Sequence, residues 1–221
     1  VFRLCLSLVV GLLLATPDGA RAVEVRLGLT GSVHASSSAA TSANVATEEI
    51  DTTVPALGTE LRVRLPYGLR VGGHYAHHRR TVGGIYDSAF GAGDVEFDLD
   101  ADEFGVFAEA HLRLAPWSWE DPFVGIGLGY VRLVTDGRLR FTSRITSTDP
   151  LDVSIDLARL YGVGGVDLTD RLGLILRAGY TFGDERTLGT AVLQRITGGP
   201  AAATWDHEGL YGSAGLVVVV H

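Results

Sequence analysis

Cysteine occurs once in 221 residues, at Cys5, and methionine and lysine do not occur at all. One thiol can close no internal disulfide and offers no thiolate metal set. All 18 basic residues are Arg; against 26 acidic residues they leave a formal charge of -8, which argues against nucleic acid as a partner. Long hydrophobic runs are scarce too. Beyond the N-terminus no stretch reaches the roughly twenty apolar residues of a spanning helix, although 46% of the chain is hydrophobic and 29 residues are Gly. Such a chain needs another way of arranging its apolar side chains.

The one apolar run follows Arg3, extends over residues 4–15 with Ser7 as its only interruption, and leads through Pro17 to Ala20-Arg21-Ala22. A positive start, an apolar core of about twelve residues and an A-x-A site compose a secretory signal peptide. The expectation is a cleaved signal over residues 1–22 and a single exported domain over 23–221, opening at Val23 and free of Cys5.

In that domain the apolar residues recur with period two. Phe104, Val106, Ala108, Ala110, Leu112 and Leu114 alternate with Glu103, Gly105, Phe107, Glu109, His111 and Arg113. Leu174, Leu176, Ala178, Tyr180 and Phe182 alternate with Gly173, Ile175, Arg177, Gly179 and Thr181. Each is a strand with one apolar and one polar face. Further strands are expected over 25–33, 57–65, 69–75, from Phe123 onward, 151–168 and 210–220, making eight. Pro66, residues 116–122 and residues 169–171 read as short turns; residues 35–56, 79–93 and 184–209, rich in Gly, Ser and Thr, read as long loops. Alternating short turns and long loops belong to an outer-membrane barrel with both termini in the periplasm. Tyr67, Trp117, Trp119 and Phe123 fall by the short turns, and Tyr75, Phe104, Tyr130, Tyr180 and Phe182 toward the long loops, as two aromatic girdles would. The fold class is therefore all-β, an eight-stranded antiparallel up-and-down transmembrane β-barrel.

The stretch Gly162-Val163-Gly164-Gly165-Val166-Asp167-Leu168-Thr169-Asp170-Arg171-Leu172-Gly173-Leu174, continued by Arg177-Ala178-Gly179-Tyr180, and the strand Pro122-Phe123-Val124-Gly125-Ile126-Gly127-Leu128-Gly129-Tyr130 resemble the small outer-membrane β-barrels of the OmpA/OmpX kind. The resemblance covers nearly all of residues 23–221 and implies a monomer among outer-membrane lipids and lipopolysaccharide, inserted by the barrel-assembly machinery, with an extracellular protein or surface ligand as a possible partner. It implies no cofactor. The chain departs from the family in ending Val217-Val218-Val219-Val220-His221 rather than on an aromatic residue.

Energy assigns the faces. An Arg on the lipid face costs roughly 2 to 4 kcal/mol at the midplane, so Arg26, Arg62, Arg64, Arg70, Arg113, Arg159 and Arg177 are expected inside with Glu24, Glu60, Glu103 and Glu109. A barrel of eight strands is only wide enough for side chains to fill. The expectation is a packed ion-pair network without an open pore, with Gly125, Gly127 and Gly129 making room for the arginines. A soluble lipocalin-like carrier would show the reverse, an apolar pocket within a polar exterior. An enzyme acting on lipid A, an acyltransferase or deacylase, would draw on His207, Glu208 and Ser213, or on His111 with Glu109; the reading places His207 and Ser213 on opposite faces, and His111 and Glu109 in the inner network. His74, His77 and His78 read as a solvated loop end rather than metal ligands, so no catalytic, cofactor or metal residue is assigned. The loops are left to carry function, structural or in surface recognition and adhesion. Beyond the girdle, Asp94, Glu96, Asp98, Asp100 and Asp102 keep the outward phase of Phe104; Arg132, Arg138, Arg140 and Arg144 continue that of Tyr130, and Asp152 and Asp156 that of Leu160. A protruding sheet held by an Asp/Arg/Asp ladder is expected.

Overall fold

The computed structural model describes residues 24–42, 45–46, 50–88, 91–114, 121–142, 146–183, 186–189 and 201–220. Residues 1–22 with the expected signal, Val23, Trp117, Trp119, Arg144 and His221 lie outside them. The strands are β1 (Glu24–Ser42), β2 (Val45–Ala46), β3 (Ile50–Arg64), β4 (Leu69–Ser88), β5 (Gly91–Arg113), β6 (Asp121–Thr142), β7 (Thr146–Asp167), β8 (Leu172–Phe182), β9 (Arg186–Gly189), β10 (Ala201–Asp206) and β11 (Gly209–Val220). Eight of them form the wall in the order β1, β3, β4, β5, β6, β7, β8, β11, each antiparallel to the next, and β11 pairs with β1 from Val25↔Val220 to His34↔Tyr211 to close it.

Local chemistry sets the short turns. Between β3 and β4 the chain reverses over Pro66-Tyr67-Gly68, with Tyr67 and Gly68 in the left-handed region at φ 62 and 76 and Leu65 N donating to Leu69 O at 2.8 Å. Gly68 has a second reason to be glycine, since a Cβ there would lie 2.4 Å from the His111 carbonyl oxygen. Between β7 and β8 the Thr169 hydroxyl accepts from Arg171 N at 3.2 Å and Leu172 N at 3.0 Å. Thr and Asp are turn residues because their side chains satisfy backbone donors that no strand partner reaches.

The other end differs from the sequence expectation. Residues 35–56 and 79–93, read as loops, are mostly strand: β1 and β3 stay paired to Ser38↔Ile50, and β4 and β5 to Ser88↔Gly91. Above the lipid neither face needs to be apolar, so the alternation fades while Ser, Thr and Val still suit an extended backbone. Residues 184–209 likewise contain β9 and β10, the latter paired with the far part of β1. The barrel thus extends as a collar beyond the level of the girdle.

The faces sort as energy requires. Leu29, Leu57, Leu112, Ile126, Leu128 and Leu210 face outward and exposed, while Arg26, Arg62, Arg70, Arg159, Arg177, Glu60, Glu103 and Glu109 are buried inside. Arg64 and Arg113 share the inward phase but sit at the short-turn rim, where Arg64 is half-buried and Arg113 exposed. Phe123, expected in a girdle, is buried instead: it shares the phase of Gly125 and Gly127 and packs with Tyr161, Val163, Ile175 and Val217.

Candidate functional site

Large inward rings are accommodated by glycine on the neighbouring strand. Phe107 is in register with Gly72, Phe123 with Gly165, His74 with Gly105, and Tyr161 with Gly127 on one side and Gly179 on the other. A Cβ at Gly72, Gly165 or Gly127 would stand 2.4 to 2.5 Å from the partner ring. Gly127 therefore makes room for Tyr161, not for an arginine; Gly125 abuts the Ala110 carbonyl, and Gly129 alone lies beside Arg159, with the Arg159 Cβ 3.6 Å from where its own would be.

Between these rings the charges lie in tiers. By the short turns Arg26 pairs with Asp167 and Glu24, and Arg64 reaches Glu24 at 3.3 Å. Arg70 lies over the Phe123 ring, 4.9 Å from its centroid, and Phe123 stacks on His111 at 4.4 Å. The middle tier centres on Glu109, which accepts from Arg62, from Arg177 Nε at 2.9 Å, from His111 Nε2 at 2.7 Å and from the Tyr161 hydroxyl at 3.2 Å. Arg177 continues to Glu60 at 2.7 Å. The outer tier centres on Glu103, which accepts from Arg159 at 2.5 and 2.8 Å, from His74 Nε2 at 2.6 Å and from His78 Nε2 at 3.0 Å. His34 stands beside it, its Nδ1 3.2 Å from Arg159 Nη2.

Two gaps remain. One of about 20 Å³ lies between the tiers, among Ser32, Glu60, Glu103, Tyr211 and Ser213; one of about 10 Å³ lies beyond Glu103, bounded by His34, His78, His207, Leu133 and Leu157. A water needs about 10 to 15 Å³ of such space, so each gap is on the scale of a water or a small ion.

The proposed catalytic sets separate here. His207 and Ser213 both look inward, contrary to the expectation of opposite faces, because six residues along a chain of period two preserve the face. They line different gaps, and the Ser213 hydroxyl lies 3.0 Å from that of Tyr211. Glu208 is exposed and accepts from the Tyr180 hydroxyl at 3.2 Å. His111 and Glu109 belong to the middle tier. Of the three histidines read as a loop end, only His77 fits, facing outward 3.1 Å from Asp102; His74 and His78 point inward to Glu103. What the sequence reading missed is the inward face beyond Glu103, where Val54, Leu133, Ile155 and Leu157 are buried. The phase of Leu133 with Gly129, of Ile155 and Leu157 with Arg159, and of Val54 with Glu60 was the available signal.

At the girdle the tyrosine hydroxyls reach carboxylates on the next strand or segment: Tyr75 to Asp102 at 2.8 Å, Tyr130 to Asp156 at 2.7 Å, and Tyr180 to Glu208. Amphipathic rings at an interface keep their bodies apolar and their tips wet. Hydrogen bonds from His77 and then Tyr75 hold the Asp102 carboxyl below its usual range. Above this level the register gives half of the expected ladder. Glu96 faces Arg140 and Asp98 faces Arg138 across β5 and β6, but on the β7 side Arg138 faces Pro150, Arg140 faces Thr148 and Asp136 faces Asp152. Among the described residues it is Arg132 that meets an acid there, Asp156, and it lies level with Phe104. Glu96, Asp100, Arg132, Arg138, Arg140 and Asp156 are exposed as the periodicity expected, while the side chains of Asp94, Arg144 and Asp152 lie outside those described; pairing offset β7 from Arg138 and Arg140.

Reversing Arg138 and Arg140 to Asp would set two like-charged pairs against β5, each losing about 0.2 to 1 kcal/mol and adding repulsion. The expected result is faster cleavage by external protease within residues 91–152 on whole cells, with the barrel still folded; equal cleavage of the wild type would remove the ladder's role.

No family model and no curated protein sequence matches the chain. Solved structures do. The outer-membrane protein OprG from Pseudomonas aeruginosa is 14% identical, covering 92% of this chain and 98% of its own, with a TM-score of 0.54. The fold is that of a small outer-membrane β-barrel. The outer membrane protease OmpT from Escherichia coli (8% identical, 93% and 99% covered, TM-score 0.45) and Neisserial surface protein A (14%, 87% and 96%, 0.41) are looser likenesses that carry no argument. At these identities the comparison speaks for the fold alone.

Proposed function

We propose that this protein is a non-conducting resident of a bacterial outer membrane, its termini in the periplasm, that works as a surface-recognition protein through the collar raised beyond its girdle. The observation that carries the reading is the contrast between the two ends. Among the described residues the lumen holds tiers of ion pairs with gaps of about 20 and 10 Å³, whereas β4, β5, β6 and β7 run on in continuous register, with Glu96, Asp100, Arg138 and Arg140 exposed on them. A plugged barrel offers no path through the membrane, and a paired sheet offers a partner a surface already ordered, which lowers the entropic cost of binding.

Two measurements test this. Purified protein in planar lipid bilayers is expected to give no stepwise conductance; stable channels would overturn the plugged lumen. Cells expressing the protein are expected to adhere to a fibronectin- or laminin-coated surface above vector controls, and to lose that adhesion when residues 82–97 are replaced by a short turn. Adhesion no better than the control, or unchanged by the replacement, would leave a structural role for the barrel in place of recognition.

A further inference from the structure

We propose that His34, His78 and Glu103 form a three-ligand binding site for a divalent first-row transition metal such as Zn²⁺ at the outer end of the lumen. This stands independently of the recognition reading. The three side chains come from β1, β4 and β5, and their donor atoms all lie within 4.8 Å of one another. His78 Nε2 is 3.0 Å and His34 Nε2 3.8 Å from the same carboxylate oxygen, Glu103 Oε2. A tetrahedral ion bound at about 2.0 to 2.1 Å holds its ligand atoms about 3.3 Å apart; the two distances lie on either side of that value, and closing the whole set on an ion draws in ligand atoms that stand up to 4.8 Å apart.

The surroundings suit an ion. His34, His78, Glu103 and His207 all border the gap of about 10 Å³, whose other walls include Val54, Leu133 and Leu157. Polar ligands inside an apolar wall exclude bulk water and leave the ion's charge to be met by the ligands. The second oxygen of Glu103 is already held by His74 Nε2 at 2.6 Å, the kind of outer support that orients a ligating carboxylate. Two imidazoles and one carboxylate favour zinc, cobalt, nickel or copper over calcium or magnesium.

Arg159 is the competitor. It donates to both oxygens of Glu103, and its Nη2 lies 3.2 Å from His34 Nδ1, which as acceptor leaves the proton of a neutral ring on Nε2. Binding an ion at Nε2 of both His34 and His78 shifts each ring proton to its own Nδ1, ends the His78 donation to Glu103, and separates the His34 Nδ1 from the guanidinium. The 3.2 Å contact is the longest of these three, so it yields first. Removing the guanidinium should therefore tighten metal binding, an effect no purely structural arginine would show.

The full chain, folded in detergent micelles and stripped with chelator, is titrated with ZnCl₂ by calorimetry, and with CoCl₂ by its visible absorption. The expected result is one ion per chain at micromolar affinity or tighter, a tetrahedral cobalt spectrum, and no competition from calcium or magnesium. H34Q and H78Q should each weaken binding at least about tenfold, R159Q should tighten it, and H77Q, whose ring faces outward to Asp102, should leave it unchanged. Should a variant fail to fold, zinc raising the unfolding temperature of the wild type but not of the variant that still folds carries the same decision. No saturable binding, or binding lost in H77Q and kept in H78Q, overturns the site.

Discussion

Replacing Glu109 by alanine is expected to destabilise the barrel by about 3 to 5 kcal/mol, the cost of leaving buried charge uncompensated. Glu109 is buried and is the shared acceptor for Arg62, Arg177, His111 and Tyr161. Its loss leaves Arg62 with only the longer contact to Glu60, at 3.6 Å, while Arg177 keeps its bond to Glu60. Both guanidiniums lie over the Phe107 ring, at 5.5 and 5.3 Å, and that ring cannot replace a carboxylate. Glutamine at the same position keeps an acceptor and the volume, so Glu109→Gln should cost less than Glu109→Ala. Equilibrium unfolding by denaturant in micelles measures both. A loss under about 1 kcal/mol for the alanine variant, the scale of an exposed pair, would mean that water already reaches the middle tier.

Gly127→Leu is expected to lose about 1 to 3 kcal/mol or more through overpacking. The first atom of the new side chain would already stand 2.4 Å from the Tyr161 ring. The signature is its dependence on the ring: in the Tyr161→Ala background the same substitution should cost less, so the two changes couple with opposite sign in a double-mutant cycle. Tyr161→Ala has its own cost, because the hydroxyl bond to Glu109 goes with it. Simple additivity would show that the space beside Gly127 is not what admits Tyr161. The folded fraction on unboiled gels, where a closed barrel migrates apart from its unfolded form, gives the readout.

Legibility in the sequence followed the lipid. Where strands cross the apolar band, one face must be apolar and the other must hold the charges, so Arg62, Arg177, Glu103 and Glu109 could be placed inside from alternation alone, and the wall of eight strands counted. Phe123 was misplaced although its phase with Gly125 and Gly127 pointed inward, because its position by a turn suggested a girdle. Beyond the band water solvates either face, the alternation loses its cause, and residues 79–93 read as a loop although β4 and β5 pair through them.

The sequence by itself determined that the chain is a closed β-barrel and which face each residue of the band presents, because a side-chain period of two and the cost of charge in lipid leave no other arrangement. Only the tertiary structure decided which residues meet. His34 and Glu103 lie far apart in the chain and on strands that are not neighbours, and they come together across the lumen because closure of β11 on β1 sets the relative height of every strand. A shift of one pair by two residues would preserve every face in the pattern while moving Arg138 away from Asp98 and Tyr161 away from its glycines. Alternation is a property of single strands; register belongs to the closed wall, settled by turn lengths and by which rings and charges fit inside it together.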